Sequence, residues 1–147
     1  KLKRKLEYVA EAEKGKVLIT LPFTESNADE WAKELSFAQV MAHFTEFALQ
    51  LFNNIPELNQ FVYVARWNDK EVAHVEISKA DFQRLRIRDV EERIGQQAGR
   101  TFVELAEGKG SEASVEKAHQ RRRAAEYKKI LDQIKGQAVI ASELLNK

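Results

Sequence analysis

The chain contains no cysteine, which excludes disulfides, thiolate zinc sites and cysteine nucleophiles. It has no apolar run near the roughly 20 residues that a membrane-crossing helix needs, and no apolar core of a signal peptide. Catalytic signatures are also scarce. No serine stands in a nucleophile elbow, and no two of the three histidines share metal-ligand spacing. EGKGS, residues 107–111, fails as a phosphate loop: Gly110 follows Lys109 where serine or threonine is required, and Val103 occupies the place of the earlier glycine. These absences lead to the expectation of a protein without cofactor or metal, and of a non-catalytic role.

What is present reads as one globular domain of 147 residues, 44% hydrophobic and 32% charged. The net charge of +1 is unevenly spread: residues 16–60 carry −4 and residues 109–147 carry +4. That asymmetry suits two elements lying side by side. The start, Lys1-Leu2-Lys3-Arg4-Lys5, has no initiator methionine. It reads either as a solvated helix start or as a basic flank of a membrane span, and the second reading leads to an expected extracytoplasmic or membrane-associated location in a bacterial envelope.

Residues 1–14 carry a short apolar stripe, Leu2, Leu6, Val9 and Ala10, that predicts a helix stopped by Gly15. KVLITLPF, residues 16–23, predicts a buried strand ending beside Pro22. Asn27 and Glu30 form a capping-box pattern, so a long helix is expected from Ala28 to Asn53, closed by Ile55-Pro56. Its single polar stripe, Ser36, Gln39, His43, Glu46, Gln50 and Asn53, leaves an apolar arc too wide for one sheet. A sheet on one flank and a helix on the other are therefore expected. The second helix is expected over residues 112–147, with Ser114 as its cap and a seam of Ala124, Tyr127, Leu131, Ile134, Ala138, Ala141 and Leu145. Docked within the chain, that seam closes the core. Left open, it provides self-association or a protein partner.

Between these helices, residues 61–78 predict a hairpin turning at Asn68-Asp69. A two-residue turn pairs Trp67 with Lys70 and, in regular pairing, puts Phe61, Tyr63 and Trp67 on a polar face. A three-residue turn moves Phe61, Tyr63, Ala65 and Trp67 onto one face with Ala73, Val75 and Ile77. The aromatic row is then either core, the favoured reading, or a base-stacking platform. Residues 100–105, RTFVEL, could form a fourth strand. The fold class is thus α+β, a small antiparallel or mixed sheet under a long helix with an added C-terminal helix. Residues 87–107 decide between a ferredoxin-like βαββαβ order and one helix spanning the whole segment.

Two basic clusters, Arg84, Arg86 and Arg88, and Arg121, Arg122 and Arg123 with Lys128 and Lys129, are candidate phosphate-binding residues, joined by Tyr63 and Trp67 as stacking residues. Interleaved acids such as Asp81, Asp89 and Glu126 weaken that reading. His43 with Glu46, and His74 with Glu76, are minor candidates for proton transfer. The function expected is a protein-interaction or assembly domain, with nucleic-acid binding as the alternative.

Overall fold

The computed structural model describes residues 9–13, 15–23, 36–108 and 110–145. Five strands form one mixed sheet in the order β1 (Val9–Glu13), β2 (Lys16–Phe23), β3 (Gln60–Trp67), β4 (Lys70–Ser78) and β5 (Ala138–Ile140). The β2 and β3 strands are parallel and the other three pairs antiparallel. The parallel pair requires a crossover, which the helix α1 (Phe37–Asn54) supplies. On β2, Val17, Ile19, Leu21 and Phe23 alternate inward, as a strand covered on one face should. Gly15 turns the chain into β2 at a φ of +69, and a Cβ there would lie 2.8 Å from the Asn59 side chain. Its carbonyl accepts from the amides of Asn59 and Gln60, tying this turn to the start of β3.

The hairpin satisfies both sequence readings at once. The turn is the two-residue form: Asn68 and Asp69 both have positive φ, and Trp67 pairs with Lys70. Yet Phe61 pairs with Ile77, Tyr63 with Val75 and Ala65 with Ala73, the facing expected of the longer turn. A bulge reconciles them. The register slips between Ala65 and Arg66, so Val72 is the extra residue on β4 and the strand changes phase beyond it. Both Val72 and Ala73 are consequently buried.

The aromatic row faces α1 and is core. Phe44 stacks on Phe61 at 5.9 Å and tilts against Tyr63 at 5.7 Å. The buried Tyr63 hydroxyl donates to the Val40 carbonyl at 3.0 Å. The cap of α1 is Ser36, whose hydroxyl accepts from the Gln39 amide while the Gln39 side chain accepts from the Ser36 amide. Because Ser36 is extended, the described helix begins at Phe37 and cannot run unbroken from Ala28. The Asn27–Glu30 capping pattern, Trp31 and Leu35 lie outside the described residues. The C-terminal stop at Ile55-Pro56 is as expected. So is the two-sided cover, with the sheet on one flank and helices on the other.

Three further expectations are corrected. Residues 9–13 form β1, paired with β2, where a helix was expected; residues 1–8 lie outside the described set. Residues 87–107 contain no strand: α2 (Lys79–Leu85) turns at the left-handed Arg86 into α3 (Ile87–Ala106), so the ferredoxin-like order does not form. The C-terminal helix α4 (Glu112–Gln133) has Ser114 inside it and stops well before residue 147. A single 3₁₀ turn (Lys135–Gln137), β5 and the short α5 (Ser142–Leu145) follow. The seam residues Tyr127 and Ile134, with the neighbouring Ile130, are buried in the chain's own core, so that part of the seam is closed within the molecule.

Candidate functional site

Helices α3 and α4 form an antiparallel hairpin whose base is locked to α1 by polar groups that the sequence pattern did not assemble. Thr45, fully buried on α1, donates to Glu91 Oε1 at 2.6 Å. Its oxygen also lies 3.1 Å from the Ala42 carbonyl, but a hydroxyl has one proton, and the shorter contact to a carboxylate is the stronger acceptor. Tyr127 on α4 donates to the same Glu91 oxygen at 3.2 Å. Burial pushes the Tyr127 phenol above its ordinary value, and the Glu91 charge adds to that shift while Arg123 opposes it. Tyr127 thus remains a donor at neutral pH.

At the adjoining position on α4, Glu126 is buried and accepts from Arg93 Nε at 2.9 Å and Lys129 Nζ at 3.1 Å. Burial alone would raise its carboxyl, but the Arg93 and Lys129 bonds outweigh it and hold the group below the usual carboxylate range. His43 lies above this base, its ring 5.6 Å from Phe23. Burial lowers its pKa, Glu46 opposes and Arg123 assists. This makes His43 a largely neutral packing group, and Glu46 is exposed beside it.

The basic residues do not converge. Arg84 bonds Asp81 at 3.1 Å and reaches the Gln133 carbonyl; Arg86 pairs with Asp89 at 2.8 Å; Arg88 is exposed. Arg123 lies ten residues before Gln133 on α4, about 15 Å along that helix, so Arg121, Arg122 and Arg123 stand away from Arg84, whereas Lys129 is only four residues from Gln133. Arg121 is exposed, whereas Arg122 and Arg123 are half-buried, with Arg123 donating to Gln120 at 3.3 Å. Lys128 is exposed and Lys129 is engaged by Glu126. Tyr63 is buried under α1 and offers no open ring face for a base, and Trp67 is half-buried at the end of β3, packed against the core.

On the sheet face away from α1, His74 lies between Glu71 (3.3 Å) and Glu76 (3.1 Å). Among the described residues no group of histidine and carboxylate side chains is arranged to hold a metal. His119 is half-buried along α4.

What the sequence reading missed is at the other end of the hairpin. Beyond Ile94 no described residue of α3 is buried. Phe102 is 73% exposed, Val103 53% and Leu105 36%. The reading of residues 100–105 as a strand hid this face. On a helix, Phe102 falls about 80° around from the buried Ile94, which would have placed it outside the core. No family model, curated protein or solved structure shows significant similarity to this chain.

Proposed function

We propose that this domain is a non-catalytic protein-interaction module that docks through the distal half of α3. The exposed apolar end of that helix carries the proposal. The inner halves of α3 and α4 contribute Ile87, Val90, Ile94, Tyr127, Ile130 and Ile134 to the core, so the hairpin is anchored at its base. The outer half carries three large apolar side chains in water: Phe102 and Leu105, three residues apart, neighbour each other, and Val103 lies about 100° round from Phe102, exposure of the kind that marks protein contacts. The ion pairing of Arg84, Arg86 and Lys129 favours this reading over nucleic-acid binding.

The experiment is site-specific photo-crosslinking in the native cell, with the crosslinking residue at Phe102 and, as control, at the exposed Gln83 on α2. A discrete adduct from position 102 that is absent from position 83 is expected. Matching adduct patterns from both positions would refute a docking role for this face.

A further inference from the structure

The exposed face of α3 has a symmetry of its own. Arg88, Glu92, Gly95, Gly99, Phe102 and Ala106 follow one another at intervals of four, three, four, three and four residues, a spacing that reads the same in either direction. At 100° per residue they form one stripe about 80° wide, turned away from the buried Ile87, Val90 and Ile94. All six are exposed. We infer that two copies of this chain pair through this stripe, with α3 of one running antiparallel to α3 of the other. The inference rests on the reading of distal α3 as an interaction surface and names its partner.

The side-chain chemistry complements itself in that arrangement and in no parallel one. With Gly95 opposite Gly99 of the second copy, Phe102 lies opposite the second copy's Glu92, between its Gly95 and its Arg88, so that a ring face comes next to a guanidinium. Glu92 falls beside Arg100 of the second copy, and the two-fold axis repeats the pair. Arg88, Glu92 and Arg100 make no ion pair with another described residue, unlike Arg84 on α2, Arg86 at the junction and Arg93 on α3. A parallel pairing would set each of these charges against its own kind. The two glycines have no role within the chain: their φ is helical, and a Cβ on either would meet nothing within 4 Å. Each nonetheless lowers helix stability by about 1 kcal/mol relative to alanine. Between two helices, their missing side chains allow the backbones to approach closely. A single helix pair about 30 Å long is a small interface, so a dissociation constant on the order of 100 μM is expected.

The absence of cysteine makes the test direct. G95C and G99C proteins are oxidised mildly at high concentration, each alone and as an equal mixture. The antiparallel pair predicts disulfide-linked dimer in the mixture several-fold faster than in either variant alone; equal rates, or faster like-with-like linkage, overturn it. Sedimentation equilibrium of the unmodified chain provides a readout free of new side chains. It should show mass rising towards a dimer between about 10 and 500 μM, with the rise abolished in F102E and retained in R121E. A monomer throughout that range overturns the pairing. If crosslinking from position 102 still yields a discrete adduct in cells, the docking face survives with a different partner; if it does not, both readings fall together.

Discussion

Replacing Thr45 with valine keeps the shape of a fully buried side chain while deleting its hydroxyl, and so isolates the bond that joins α1 to α3. The lost interaction is a 2.6 Å hydrogen bond to a carboxylate, a class worth about 1.5–3 kcal/mol. For a chain of this length that corresponds to a fall in Tm of roughly 4–10 °C. Tyr127→Phe removes the second donor to the same oxygen, at the longer 3.2 Å, and should cost about 1 kcal/mol. Because both donors hold one carboxylate, the two losses should not add. Once either donor is gone, the half-buried Glu91 can turn towards water, and removing the other costs less. Urea denaturation of the two single variants and the double variant measures this. The double should be less destabilised than the sum by at least about 0.5 kcal/mol. Strict additivity, or a Thr45→Val variant as stable as the parent, would show that Glu91 does not couple the two helices.

Other outcomes follow from single positions. Asp69→Gly should raise stability by about 0.5–1 kcal/mol, measured by denaturant unfolding, because Asp69 sits at a φ of +70 that glycine adopts without strain; a loss would show that the turn is not the two-residue form. Asp81 is held at about 2, against an ordinary 3.8, chiefly by the Ser78 amide; burial is the next largest influence and opposes it, and the Gln137, Arg84 and Ser78 side chains assist the lowering. Its folded pKa is depressed, so its contribution is present above pH 4 and fades as the pH falls from 3.8 towards 2. Asp81→Asn should therefore cost about 1–2 kcal/mol at pH 7, after allowance for solvent screening, and progressively less below pH 4; a gap that stays constant with pH would sink this account. Fluorescence anisotropy with labelled DNA and RNA should show no binding at physiological salt, and micromolar affinity that falls steeply with salt and is lost in Arg121→Ala would reverse the choice between the two functions.

The legible parts of the sequence were those where one physical preference acted alone. The β2 strand was readable because β-branched residues run into Pro22, and the end of α1 because Pro56 forbids helix at Ile55. The errors arose where local preference and long-range pairing disagreed. VAEAE is rich in helix formers, yet its residues pair along β2 as β1. Ala138 and Ala141 fit the helical seam of α4 by spacing, but Gly136 interrupts it and the chain crosses to β4 instead. The start of α1 was expected at the Asn27–Glu30 capping pattern, but the described helix uses Ser36 with Gln39, which the sequence pattern places in the polar stripe. The hairpin faces were undecidable from parity, because a bulge at Val72 leaves no signature except an extra apolar residue. The Thr45, Glu91 and Tyr127 group was invisible for a simpler reason: its members lie 46 and 36 residues apart and meet only after the helices pack.

The position of β5 bears on how the domain survives its own synthesis. The outer edge of β4 is covered by only three residues, and they are made about sixty residues after β4 itself. At the usual rates of translation several seconds separate the two. During that interval β4 presents unpaired backbone groups, the template on which strands of other chains add. The chain meets this hazard with charge: Lys70, Glu71, His74 and Glu76 lie along the waiting strand. A nascent chain halted within α4 would keep that edge open, and aggregation on the ribosome should be most severe for truncations that end between residues 110 and 137.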